Sequence, residues 1–450
     1  MSQAEAFALR GVIEGFYGPP WSHAVRQDML HFLALHGFNA FFYAPKDDEY
    51  LRERWQEPHP YEQLHQLTEL NQLASRLQLA FYYCLSPGLS MQYANQMHLE
   101  LLLAKYQRMF AAGVRQFGLF FDDIPFELMH EGDRHRFAHL AEAHCYVTER
   151  VWQQLRNWSG ENRLVVCPTA YFGMPADPYI AYLGANLPAG VEMFWTGRFV
   201  CSPFLTEGDA LTFVQATGRK PLIWDNYPVN DLAMNNELHI GPLQHRDPRL
   251  YRYARGFVAN AMELAESSKI PLITIADYLK TPETYEPLKS WERAVREVAG
   301  EADAQPFLRF ADNVQSSFLQ EQESPGLLEA FMRVRFHFFQ GDTAQAVVIL
   351  RELFREMEQT AHYLLERMEN QRLAAEVRRW VRKYLQWARV GQAAVALIEE
   401  GTRGRMVQAA YHLLRLKQRL KQTERLPEKV CGNVMRLFVE AVLQEAGRRG

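Results

Sequence analysis

Over roughly the first 280 residues, short apolar and β-branched runs alternate with stretches whose apolar residues recur every three or four positions. That alternation predicts strand–helix units and a parallel α/β fold. Strands are expected at Phe7–Tyr17, Asn39–Ala44, Leu79–Leu85, Gln116–Asp122, Arg163–Pro168, Val191–Trp195, Pro221–Trp224 and Arg255–Asn260. Several are apolar almost throughout, as in Phe117-Gly-Leu-Phe-Phe121, which fits strands covered on both faces. Between them, Met29, Phe32, Leu33 and His36 make one helical stripe, and Leu102, Tyr106, Met109, Phe110 and Gly113 make another. Eight such units in this length match a (β/α)8 TIM barrel. A doubly wound open sheet is the rival, but the first strand lacks a G-x-G-x-x-G turn.

After Trp291 the pattern changes. From about Asp303 strand signals vanish, and Leu373, Val377, Trp380, Val381, Tyr384 and Trp387/Ala388 step along one helical face. Arg372, Arg378, Arg379, Arg382 and Lys383 occupy the other faces. Breaks at Ser324-Pro-Gly326, Gly341-Asp342, Gly401 and Gly404 predict roughly five helices. The chain therefore divides into a barrel, 1–290, and an all-α helical domain, 300–450. The aromatic stripes are read as core, with a homodimer interface through the helical domain as the second reading.

Composition narrows the class. Of 450 residues, 48% are apolar and 23% charged, which excludes extensive disorder. No apolar run approaches the ~18 residues needed to span a bilayer, and Met1–Arg10 lacks the basic-then-apolar pattern of a secretion signal. Five widely spaced cysteines without C-x-x-C argue against a disulfide framework and a cysteine zinc site, so a cytoplasmic location is expected. Residues 301–450 hold 23 Lys and Arg against 19 Asp and Glu, leaving 26 against 34 before them. Neither part has the basic excess of a nucleic-acid binder, and neither reads as a membrane protein.

In a barrel, chemistry gathers at the C-terminal strand ends. The fourth strand ends Phe120-Phe121-Asp122-Asp123-Ile124-Pro125. Successive strand side chains face opposite ways, so both carboxylates reach one ligand only if the strand is already breaking, as Pro125 suggests. Two carboxylates in one pocket repel, so one is expected to have a raised pKa and to serve as an acid beside an anion. The same pair could bind Mg²⁺ or cap a helix. No His/Glu pair of metal-ligand spacing lies nearby. Other strand ends carry Glu14-Gly15-Phe16-Tyr17, Lys46-Asp47-Asp48, Cys167-Pro-Thr-Ala-Tyr171 and Trp224-Asp225-Asn226 with Asn230-Asp231. Lys46 could donate to a hydroxyl or pair locally with Asp47 or Asp48. Cys167 has no recognisable histidine partner, so thiol nucleophile chemistry is not expected.

With these segments in place, the chain resembles glycoside hydrolase family 84, the retaining β-N-acetylglucosaminidases that include protein O-GlcNAcases. The matching stretches are GVIEGFYGPPW (11–21), FYAPKDD (42–48), SPGL (86–89), FDDI (121–124), CPTAY (167–171), FWTG (194–197) and IWDN followed by ND (223–226 and 230–231). The resemblance implies exo-acting, substrate-assisted hydrolysis, in which the sugar's 2-acetamido oxygen attacks the anomeric carbon and forms an oxazoline. It assigns Asp122 to orienting the acetamido N–H, and Asp123 to protonating the leaving oxygen and then deprotonating water. Tyr171 would hydrogen-bond the acetamido oxygen, and Cys167, Thr196 and Trp224 would line the acetyl pocket. Gly15, Lys46, Asn226, Asp231 and Asn260 would bind hydroxyls, with Tyr17 and Val200 bordering the site. No cofactor and no metal are implied, and the partner is an N-acetylglucosamine-bearing glycoconjugate or glycoprotein. A silent glycan-binding module and an endo-acting, hyaluronidase-like hydrolase are the alternatives. The Ala170-Tyr171-Phe172 run differs from the Glu-Tyr-Cys of some members.

Overall fold

The computed structural model describes residues 6–174, 177–320 and 323–449. Eight parallel strands close into a barrel in chain order: β1 (Leu9–Glu14), β2 (Ala40–Tyr43), β3 (Ala80–Leu85), β4 (Gln116–Phe120), β5 (Arg163–Cys167), β6 (Val191–Trp195), β7 (Leu222–Asp225) and β8 (Gly256–Asn260). Every expected strand is present, most of them shorter than the apolar run that announced it. β1 loses Phe16 and Tyr17, and β4 loses Phe121 and Asp122, because the chain turns out of the ladder there.

Closure pairs β1 with β8 from Leu9↔Gly256 to Ile13↔Asn260. Gly256 is required at that seam, since a Cβ there would meet the Leu9 carbonyl at 2.6 Å. The barrel is a packed interior. Ile13, Phe42, Tyr82, Phe120, Val165, Phe194, Trp224 and Val258 form one buried cluster, with the Phe42 and Tyr82 rings stacked at 4.0 Å. The opposite faces of the same strands meet the surrounding helices, which is why Phe41, Phe81 and Phe117 are buried too.

The chain divides into two compact units, one of residues 1–231, 243–265 and 272–286, the other of 232–242, 266–271 and 287–450. Six described helices follow Asp303, at Ala304–Ala311, Pro325–Phe339, Thr343–Glu366, Gln371–Thr402, Met406–Glu424 and Val434–Arg449. The expectation of five missed the break at Arg367–Asn370, where the Asn370 side chain accepts from the Leu373 N–H at 3.1 Å and starts a new helix. Gly401 does not interrupt its helix. The Leu373-to-Ala388 stripe is core. Lys383, read as outward-facing, is buried and donates to the Leu426 carbonyl at 2.6 Å. Among the described residues no helix is long and apolar enough to cross a membrane.

Candidate active site

The alternation of β4 sends Phe120 into the barrel and Phe121 outward, so Asp122 turns inward again at the strand's end. Phe121 is fixed on every side. Its ring stacks on His144 at 3.8 Å, its N–H donates to the Cys167 carbonyl at 2.8 Å, and its carbonyl accepts from Thr169 Oγ1 at 2.7 Å. His144 lies between the Tyr179 and Tyr93 hydroxyls at 2.8 and 3.0 Å, and burial lowers its pKa to about 3, so it packs as a neutral ring. Asp123 then adopts φ +55°, a left-handed conformation that aspartate tolerates better than most residues. That reversal swings its carboxylate back to the side Asp122 occupies. The expected strand break is real, and the pair caps no helix; the next one begins at Glu131, behind His130.

Lys46 joins the two acids. Its ammonium is ion-paired with Asp122 and lies 3.6 Å from Asp123 Oδ2. It is buried, 5.7 Å from the Tyr17 ring centre and 6.0 Å from that of Trp224. The local pairing with Asp47 or Asp48 is not formed; Asp48 instead accepts from the Tyr43 hydroxyl at 2.6 Å and from Gln63 at 2.7 Å. Burial works against the Lys46 charge, but the Asp122 and Asp123 carboxylates outweigh it and hold the ammonium above its ordinary pKa. Asp123 also accepts from the Tyr17 hydroxyl at 2.7 Å and the Tyr171 hydroxyl at 2.9 Å.

The expectation of a raised carboxylate pKa for the acid of this pair is therefore corrected. Desolvation pushes Asp123 up, but Lys46, the two phenol donors and Arg52 together bring it below its ordinary value. Like-charge repulsion is cancelled because a cation sits between the acids. Asp122 is buried, and its Oδ1 has no hydrogen-bond partner among the described residues, so it is open to an incoming N–H.

Several of the remaining candidate residues are joined by hydrogen bonds. Trp224 Nε1 donates to Asn226 Oδ1 at 2.7 Å, and Asn260 Nδ2 donates to the same oxygen at 3.0 Å. Asn226 Nδ2 donates to the Val200 carbonyl at 2.8 Å, and the Gly15 N–H to Asn260 Oδ1 at 3.2 Å. Asp231 accepts from the Tyr17 N–H at 2.7 Å, and burial raises its pKa. Thr196 Oγ1 donates to the Phe199 carbonyl at 2.8 Å. Cys167 is buried, which pushes its thiol well above the ordinary range, and it packs in the cluster holding Trp224 and Tyr171. All thirteen candidate residues thus lie at the C-terminal strand ends or in the loops that follow them. Among the described residues, no three His, Cys, Asp or Glu groups converge in a way that could hold a metal ion.

A family model described as beta-N-acetylglucosaminidase matches residues 10–312. The chain belongs to that family. A second model, described as hyaluronidase post-catalytic domain-like, matches residues 339–439 of this family member. The protein O-GlcNAcases of Rattus norvegicus and Mus musculus are each 32% identical over 280 residues, 61% of this chain and 30% of theirs. The chain thus spans about a third of the length of these curated relatives. A solved structure of a mutant Thermobaculum terrenum O-GlcNAc hydrolase is 37% identical, with a TM-score of 0.95 over 99% of this chain and 96% of that one. The structure of CpGH84B is 26% identical, with a TM-score of 0.87 over 97% and 77%. The resemblance to glycoside hydrolase family 84 and the barrel-then-helices fold class both hold.

Sequence reasoning missed Arg52, whose Nη1 lies 3.1 Å from the Tyr17 hydroxyl, six residues after Lys46 in the same β2 loop. It also missed the buried pairs behind the site. Arg246 grips Asp225 at 2.7 and 2.8 Å, and Arg26 grips Glu14 at 2.7 and 2.9 Å, fixing the ends of β7 and β1. A strand-end acid such as Glu14 or Asp225 was the available signal.

Proposed function

We propose that this chain is an exo-acting, retaining β-N-acetylglucosaminidase that hydrolyses terminal β-linked N-acetylglucosamine, as on an O-GlcNAc-bearing glycoprotein, through a substrate-assisted mechanism. The observation that carries the reading is the pair of adjacent aspartates beside Lys46 at the C-terminal end of β4, differently surrounded. Asp122, pinned by Lys46 through one oxygen and unpartnered at the other, is suited to accept the acetamido N–H and orient that group. The acetamido oxygen then attacks the anomeric carbon and the glycosidic bond breaks, while Asp123 gives its proton to the departing oxygen. In the second step Asp123 takes a proton from water, whose oxygen opens the oxazoline and restores the β-configuration. No protein nucleophile is needed, in keeping with the protonated, buried Cys167 thiol. Gly15, Lys46, Asn226, Asp231 and Asn260 would bind hydroxyls, Cys167, Thr196 and Trp224 would hold the acetyl group, Tyr171 would hydrogen-bond the acetamido oxygen, and Tyr17 and Val200 would border the site.

An aryl N-acetyl-β-glucosaminide should be hydrolysed and the matching β-glucoside should not, because only the former carries its own nucleophile. Equal turnover of both sinks the reading. Asp123→Asn should slow substrates with poor leaving groups far more than activated ones.

We further propose residues 1–290 as the catalytic domain, residues 300–450 as a helical domain that forms a homodimer, and a cytoplasmic location consistent with five free cysteines. The helical region supports the dimer with a groove of 760 Å³ lined in part by Phe331, Val334, Phe338, Leu413 and Phe438. Phe339, Val407 and Leu414 are also exposed in this region.

A further inference from the structure

The Tyr17 hydroxyl stands between Arg52 and the proposed acid, 3.1 Å from Arg52 Nη1 and 2.7 Å from Asp123 Oδ2. A guanidinium has donors only. The Tyr17 oxygen must therefore accept from Arg52, and its single proton is directed to Asp123. The polarity of this relay is set at its arginine end. Arg52 is 8% exposed, it stacks over the Tyr17 ring at 5.3 Å, and among the described residues its guanidinium has no other hydrogen-bond partner. A buried cation with a single neutral partner is costly unless it balances charge nearby. Here Asp122 and Asp123 face one ammonium, Lys46, and Arg52 supplies the second positive charge.

We propose that Arg52 is a positioning residue which, acting through the Tyr17 hydroxyl, directs that hydroxyl's single proton to Asp123 and holds its Oδ2 as an acceptor in the free enzyme. This deepens the glycosidase reading and rests on it for the role of Asp123. The groups facing Asp123 are Lys46 and Arg52 from the β2 loop, Tyr17 from the β1 loop, Tyr171 and Cys167 from β5 and its loop, Asp231 from the β7 loop, and its neighbour Asp122. The net pull on Asp123 is downward, in accord with donors on both of its oxygens.

The test is a carbon-13 carboxyl titration of the free protein, with the Asp123 signal assigned by its loss in Asp123→Asn. Arg52→Met removes a cation and frees the phenol proton, so the Asp123 midpoint should rise by about 0.5 to 1 unit. Arg52→Lys should recover part of that rise. If Arg52→Met does not fold, Tyr17→Phe, which cuts the relay with Arg52 in place, should raise the midpoint similarly. A midpoint within about 0.2 units of wild type in every folded variant, whatever the loss of melting temperature, overturns the proposal. In kinetics, the alkaline limb of kcat/KM should move to higher pH in Arg52→Met by the same interval; an unmoved limb counts against the relay. A wild-type protein that hydrolyses no aryl N-acetyl-β-glucosaminide refutes the glycosidase reading instead and leaves the titration to decide the relay.

Discussion

Lys46 shows how one buried side chain can be indispensable to a pocket and still contribute little net stability. Its ammonium is enclosed with two carboxylates, so desolvation of three charges offsets much of their attraction. Removing it alone is a different matter, because Asp122 would stay buried without its ion-pair partner. Lys46→Met should therefore lower stability at neutral pH by about 3 kcal/mol, the cost of orphaning one partner of a buried pair, and reduce turnover at least ~100-fold through loss of preorganised charge. Denaturant melts and kcat on an aryl substrate check both; unchanged turnover would remove Lys46 from the site. Gly15 makes a steric counterpart. A Cβ there would lie 2.9 Å from Trp224 Cζ2 and 3.2 Å from Asn260 Oδ1. Gly15→Ala should displace that indole and raise KM, with a stability loss of about 1–3 kcal/mol, typical of overpacking. A KM like wild type would show that the indole can shift without consequence.

At the scale of elements, the segment leaving β4 meets the helix Leu140–Trp158 at the Phe121–His144 stack. His144 stays neutral down to about pH 3 in the folded protein because burial excludes its charged form, whereas in an unfolded chain histidine takes a proton near pH 6.5. The folded pKa is depressed, so this stability is complete above the unfolded value and drains away below it, at about 1.4 kcal/mol per pH unit. Between pH 6.5 and 4, His144→Gln should lose stability less steeply than wild type by about one proton. Parallel slopes in denaturant midpoints would acquit His144. The strand itself was legible because Phe117 to Phe121 is apolar toward both the barrel and the helices. The turn at Asp123 was legible only as a break before Pro125. No pattern announces that the residue goes left-handed, since the surrounding fold imposes that conformation. Arg52 was hidden for another reason. It sits in Arg52-Glu53-Arg54, where exposed Arg54 pairs with Glu49 and Glu57 as a solvated charge run would. Burial alone separates the two arginines, and burial comes from contacts distant in sequence.

Over the whole molecule, the proposed division at about residue 290–300 does not coincide with the division into two compact units. The segments 232–242 and 266–271 precede that point in the chain yet belong to the second compact unit. Within that unit Trp380 Nε1 donates to the Asn236 carbonyl at 2.9 Å, and the Lys429 N–H donates to the same carbonyl at 2.8 Å. Glu376 accepts from the Ser267 N–H at 2.7 Å, while Asn370 Nδ2 donates to Glu266 at 2.8 Å. A chain ended after residue 300 would keep Asn236, Glu266 and Ser267 but lose every one of those partners. It would also leave unpaired backbone groups, which cost about 1–3 kcal/mol each wherever water cannot replace the lost partner. In the chain, Asn236 lies between β7 and β8, shortly after Asn226 and Asp231, and Glu266 and Ser267 follow Asn260 at the end of β8. A 1–300 fragment should therefore express poorly or melt at least ~10 °C below the full chain, a shift that a few kcal/mol produces in a domain of this size. Its residual turnover should fall more than its barrel circular dichroism. A fragment that melts and turns over like the full chain would show that those inserted segments carry no structural weight, and that the barrel holds its loops without the helices.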